Sequence, residues 1–291
     1  MKKILLTACS LVFILSSAAS AGQGSHAFLW SVATPKGSVY LLGSAHVPGI
    51  DADKLDKRIV RAYQKSRRVV FEADLQEMAD KSVQKALFAN GTYQGKETLK
   101  GNISKETYEL LMKRLKGAGI PPSRFETYKP WLCAVSLSGV ELKRLGYDPK
   151  SGIEARFYTE AKKDGKETVF LETSRSQINL LSRKLKDRQE ELLKQAMEEL
   201  DVVKSRSADI VKAWKSGDAK AMDAITSISL DEYPEIRRAL FDERNAAWVS
   251  SIEKQMKKDG DTLVIVGAGH LVGEEGILSL LQKKGYNPVQ Q

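Results

Sequence analysis

Two stretches far apart in the chain share one pattern. VYLLGSAHVPG, Val39 to Gly49, and LVIVGAGHLVG, Leu263 to Gly273, each run apolar, then Gly-x-x-His, then apolar, with a further glycine three residues past the histidine. The chain holds only three histidines, and these phrases contain two of them. A short apolar run followed by glycine reads as a buried strand that ends abruptly. Two such strands near opposite ends require a fold that brings its ends into register, or else two separate sites.

Other apolar runs complete the layout. Phe28–Val32 and Val39–Leu42 flank the turn sequence Thr34-Pro35-Lys36-Gly37 and read as a hairpin. Val69-Val70-Phe71 runs into Glu72, Thr168–Leu171 into Glu172, and Thr262–Val266 follows the turn Asp259-Gly260-Asp261. Between them the spacing is helical: Leu110, Leu111 and Leu115 follow the N-cap Ser104, and Leu181 to Leu200 forms a long apolar stripe. A short helix from Glu274 to Lys284 closes the chain. This predicts an α/β fold, a mostly parallel central sheet with flanking helices. It also predicts one domain over residues 22–291, with a large helical insertion at about 76–165 and further helices at about 176–258.

In an open parallel sheet, ligands bind outside the carboxyl ends of the strands. The predicted strand ends carry His46, Glu72, Glu172 and His270. Gly43 and Gly267 are expected to let the chain turn and the backbone approach a ligand, and Glu172 joins them as a binding candidate. Two imidazoles with a carboxylate suit a divalent first-row ion, Mn, Co, Fe or Zn, and His46, His270 and Glu72 are the candidate ligands. The same three can equally serve as acid/base groups. Asp74 is expected beside Glu72. On a helix, Arg244 and Asn245 precede Ala246-Ala247-Trp248, and Arg244 is placed to reach the strand ends and hold a carboxylate or an oxyanion. Trp131, Trp214 and Trp248 are expected in the core, and His26 on the surface.

The first residues read as a leader. Met1-Lys2-Lys3, the apolar Ile4–Leu15 and Ala19-Ser20-Ala21 form a signal peptide cleaved after Ala21, which points to a periplasmic or secreted protein. Cys9 lies inside the apolar run rather than after it, which argues against a lipoprotein. Cys133 is then the only cysteine left, so no internal disulfide is expected. No later stretch is long enough to span a bilayer, so no anchor is expected after cleavage. The net charge of +9 comes from scattered Lys/Glu mixtures, which reads as a solvated surface rather than a nucleic-acid interface.

The ordered segments FLWSVATPKGSVYLLGSAHV, RRVVFEADL, YKPWLCAVSL, SGIEARFYTEAKKDGKETVFLET, DERNAAW and VIVGAGHLVGEEGILSLLQKKGY resemble the TraB/GumN family. That family is related to the Tiki metalloproteases and, more distantly, to the erythromycin-esterase/ChaN-like fold. The resemblance covers Phe28 to Tyr286. It implies an α/β core with a helical insertion and a site of His46, His270 and Glu72, with Arg244 as a further site residue. It also implies divalent-metal-dependent hydrolysis of a peptide or small ester-like substrate. The alternative expectation is a non-catalytic module binding a peptide, a metal or a haem-like ligand at the same edge.

Overall fold

The computed structural model describes residues 26–77, 80–148 and 151–291. The leader and Cys9 lie outside them. The fold is α/β around a six-stranded mixed sheet of order β4-β3-β5-β2-β1-β6. β1 (Leu29–Thr34) and β2 (Gly37–Ser44) form the expected antiparallel hairpin. After α1 (Lys57–Lys65) comes β3 (Arg68–Phe71). Then follow α2 (Lys81–Gly91), α3 (Lys105–Gly117), α4 (Pro130–Arg144), α5 (Ile153–Lys163) and β4 (Glu167–Phe170). Next are α6 (Ser174–Asn179), α7 (Gln189–Ser216), α8 (Ala219–Ser227), α9 (Pro234–Arg237), α10 (Glu243–Met256) and β5 (Thr262–Gly267). α11 (Ala268–Leu271), α12 (Ile277–Lys283) and β6 (Val289–Gln290) finish the chain.

β5 enters the sheet between β2 and β3, parallel to both. Such a strand is covered on both faces, which is why Leu263 to Val266 reads as unbroken apolar sequence instead of alternating. All four of these side chains are fully buried. At about 1.5–3 kcal/mol for each fully buried aliphatic side chain, this insertion is a main source of the fold's stability. It also pairs the two phrases: Gly43 faces Val266 and Ser44 faces Gly267 in adjacent parallel strands.

The sequence expectation stops one strand short. After α12 the chain returns as β6, which pairs antiparallel with β1 through Trp30↔Gln290 and Ser31↔Val289. A two-residue strand carries too little pattern to read.

The helices between strands build two further apolar clusters. Leu111, Leu115, Cys133 and Leu137 pack against Leu193, Met197 and Leu200 of α7. Trp131 and Leu132 pack with Ile178, Leu192 and Ile236. α5 behaves differently, because Ile153, Phe157 and Ala161 belong to the sheet's own core. Thus α2–α4 and α7 form the helical layer, while α5 is a sheet-covering helix whose amino end faces the strand ends. Ser104 caps α3 as expected, accepting from the Thr107 N–H at 3.2 Å.

At the opposite edge of the sheet, Arg68 is buried and hydrogen-bonds Glu167, Thr262 and the carbonyls of Asp259 and Gly260. Arg68 therefore ties β3 to β4 and to the start of β5.

Candidate functional site at the carboxyl edge of the sheet

The four parallel strands end at one edge, and their first residues beyond it meet. Glu72 and Glu172 follow β3 and β4 and stay paired, with the Glu172 N–H donating to the Glu72 carbonyl at 2.8 Å. Their carboxylates are gathered by one cation. Arg244, in the first turn of α10, donates from Nε to Glu172 Oε1 (2.8 Å) and from Nη2 to Glu172 Oε2 (3.2 Å) and Glu72 Oε2 (3.4 Å). Its Nη1 donates to the Leu240 carbonyl (2.9 Å) and to His270 Nε2 (3.3 Å). The guanidinium also lies over Trp248, whose Nε1 donates to Glu172 Oε1 at 3.0 Å. Arg244 thus reaches the strand ends as expected, and the carboxylates it holds are the protein's own.

His270 has one possible tautomer here. A guanidinium can only donate, so Nε2 must be the acceptor and Nδ1 carries the proton. Asn245 Oδ1 receives that proton at 2.7 Å, while Asn245 Nδ2 donates to the Glu275 carbonyl at 2.9 Å, which fixes the amide's orientation. The ring is sandwiched by Phe241 and Trp248, 4.6 and 4.5 Å away between centroids. Burial, then the charge of Arg244, pushes its pKa well below the ordinary value and keeps it neutral.

His46 has the opposite setting. Its side chain is about half exposed, stacks on Tyr147 at 5.2 Å, and places Nε2 2.9 Å from Glu154 Oε1. The Ser44 hydroxyl donates to the same oxygen. Burial pulls the His46 pKa down, but the bond to Glu154 and its charge outweigh this and raise it. For Glu154 burial pushes upward, and the bonds from His46 and Ser44 win and lower it. Glu72 is raised chiefly by burial, against Arg244 and the Gly267 N–H, which donates to its Oε1 at 2.7 Å.

The glycines act by proximity. Neither Gly43 nor Gly267 needs a positive φ. A methyl on Gly43 would come within 2.5 Å of the Phe28 ring, and its carbonyl accepts from Trp214 Nε1 at 2.7 Å. Gly267 contributes its N–H to Glu72. On Gly269 a methyl would come within 2.9 Å of Thr226 and 3.1 Å of Phe241.

Two cavities meet at this edge, and both are lined by His46 and Glu72. One, of about 280 Å³, lies under α7 and α8 and also takes in His270, Gly267 and Ser44. The other, of about 230 Å³, is bounded by Phe71, Asp74, Leu75, Tyr147 and Glu154. Asp74 does not join Glu72 among the described residues and accepts instead from the Tyr158 hydroxyl at 2.7 Å.

The family model for the TraB/PrgY/gumN family matches residues 28–290. The chain belongs to that family. Among relatives of this TraB/PrgY/gumN protein, an uncharacterized protein of Treponema pallidum (strain Nichols) is 24% identical, covering 96% of this chain and 92% of its own. The uncharacterized protein YbaP of Escherichia coli (strain K12) is 26% identical over 84% of this chain and 87% of its own, and YbaP of Shigella flexneri matches equally. No solved structure matches.

Of this family member's sequence-derived candidates, Arg244 directly joins Glu72, Glu172 and His270, while His46 lies with Glu154. Sequence reasoning missed Glu154, because its carboxylate sits in the first turn of a helix rather than beyond a strand. Asn245 was noticed only as a polar residue beside an apolar run. Trp214 and Trp248 are core residues, as expected, yet each sends its indole N–H to a site element. His26 is exposed.

Proposed function

We propose that this chain is a hydrolase of ester or peptide bonds that works at the junction of the two cavities. One observation carries the reading: an exposed imidazole, His46, oriented by a carboxylate at the only place that both cavities share among those described. Because Glu154 accepts the Nε2 proton, Nδ1 holds the lone pair. In the proposed reaction Nδ1 takes a proton from water as the water oxygen attacks the substrate carbonyl carbon. The C–O or C–N bond then breaks, and the departing atom receives a proton. The His46 imidazolium, which holds the proton taken from water on Nδ1, is the proposed donor and so returns to its starting state. A scissile bond at His46 and Glu72 leaves room for one group in each cavity, as hydrolysis within a molecule requires.

A second reading keeps the expected divalent ion. It is favoured by His270, whose Nδ1–H is held by Asn245 while a neutral Nε2 faces inward, the manner in which metal-ligating histidines are oriented. The residues as placed do not fit an ion. Arg244 occupies the Nε2 lone pair and contacts Glu72, and among the described residues no three His, Cys, Asp or Glu converge on one point.

The leader supports export to the periplasm or medium as the place of action. Among the described residues no helix is long and apolar enough to cross a membrane. A fluorogenic panel of esters and peptides, tested with and without a chelator, examines both readings. Turnover that needs no metal supports the first. Turnover lost on chelation and restored by Mn or Co supports the second. Tight ligand binding without any turnover would favour a binding module.

A further inference from the structure

The cavity under α7 and α8 has a chemical character of its own. Its walls are largely apolar, including Val202 and Val203 of α7, Met222 and Ile225 of α8, and Leu240 and Phe241. Among the described residues no lysine or arginine lines it, although the chain carries 46 of them and a net charge of +9. Two carboxylates do, Glu72 and Glu199. Glu72 is answered by Arg244 and a backbone N–H. Glu199 makes no ion pair among the described residues: it accepts a hydrogen bond from the neutral amide of Gln195, at 3.1 Å, and feels the charge of His46 only from beyond hydrogen-bond range. His46 lines the same cavity but is already held by Glu154.

We infer that this cavity is a specificity pocket for a substrate arm that is apolar along its length and ends in a cation, with Glu199 as the partner of that cation. The inference rests on the hydrolase reading for the word substrate, while the selectivity follows from the pocket. Glu199 is itself exposed at the cavity wall, so an incoming ammonium gains a charged hydrogen bond there while its apolar arm leaves water against the walls. A neutral group of the same length gains the apolar contact but not the charged bond. An anion meets two carboxylates. A volume of about 280 Å³ suits one side-chain-sized arm, with the remainder of the substrate passing His46 toward the second cavity.

Calorimetric titration of the full chain with hexylammonium, 1-hexanol and hexanoate tests this without requiring turnover. Hexylammonium should bind at least about tenfold more tightly than hexanol, the scale of a hydrogen bond to a charged group. Hexanoate should bind more weakly than either. Glu199→Gln should remove the ammonium's advantage and leave hexanol binding unchanged. Ile225→Trp, which fills the pocket from α8, should weaken both and covers the case in which Glu199→Gln does not fold. Equal affinity for ammonium and alcohol, no binding of either, or ammonium binding that survives Ile225→Trp would overturn the inference. If the chain hydrolyses no substrate, these binding results still stand. If it hydrolyses neutral and cationic substrates alike, the pocket assignment fails and the hydrolase reading survives.

Discussion

Asn245 Oδ1 lies 2.7 Å from His270 Nδ1, and this contact sets which nitrogen of a buried imidazole faces the site. The pair sits on different elements, α10 and α11, so it also locks the helix that supplies Arg244 to the strand end that supplies His270. Replacing Asn245 by Leu removes the acceptor and leaves a buried N–H and the Glu275 carbonyl unpaired. Stability should fall by about 1–3 kcal/mol, the scale for an unsatisfied buried polar group. Any turnover should fall by about 10–100-fold, the usual effect of removing a partner that orients a site histidine. Denaturant titration and kcat/KM together check this. An unchanged kcat/KM would remove His270's orientation from the account.

Arg244 neutralises two carboxylates at once. Arg244→Met should leave Glu72 and Glu172 facing each other uncompensated and cost about 3 kcal/mol, the lower end for breaking a buried pair. Adding Glu172→Gln should recover part of that loss, because one of the stranded charges is gone. A double-mutant cycle by urea unfolding measures the coupling. Strictly additive effects would mean that the pair seen at 2.8 Å carries no net energy.

Gly43 tests the packing account of the motif. A methyl there meets Phe28 in the core, so Gly43→Ala should destabilise by about 1–3 kcal/mol, the range for overpacking. Gly267→Ala meets only ordinary contacts at 3.5 and 3.6 Å, to Glu72 and His270, and should be much milder. Thermal melts of the two variants suffice. Equal losses would contradict the reading of Gly43 as a close-approach residue.

Glu190 provides a pH handle away from the site. Burial pushes its carboxyl upward, but bonds from Ser104 and Thr107 outweigh this and hold it down at about 2, below its ordinary 4.5. A depressed folded pKa favours the folded state above the unfolded value. That contribution should be complete above about pH 5 and fade as pH falls toward 2. Glu190→Gln should therefore lower the melting temperature at pH 6 and converge with the wild type near pH 2.5. A constant gap across that range would rule out the carboxylate's charge as the cause.

Much of the fold was legible because its strands are short, apolar and closed by turn residues. Val39–Leu42, Val69–Phe71, Thr168–Leu171 and Thr262–Val266 all lie in the observed parallel strands or extend them by one residue. The strand-end rule then exposed His46, Glu72, Glu172 and His270. Glu154 and Glu199 were hidden for a shared reason: each lies on a helix, where a carboxylate in a Glu/Lys-rich stretch looks like ordinary surface. Only the docking of α5 and α7 over the sheet edge brings Glu154 against His46 and Glu199 to the cavity wall. The glycines were found but their reason was not, since a clash with Phe28 depends on residues outside the motif.

The central claim is that His46, oriented by Glu154, does the chemistry. The most direct measurement is kcat/KM of purified wild type, His46→Asn and Glu154→Gln on the best substrate from the ester and peptide panel, with folding confirmed by circular dichroism. Wild-type turnover should fall by at least about 100-fold in His46→Asn, the lower bound for losing a positioned base. Glu154→Gln should show a smaller but clear loss. Undiminished turnover in folded His46→Asn, or none from the wild type on any substrate, would contradict it.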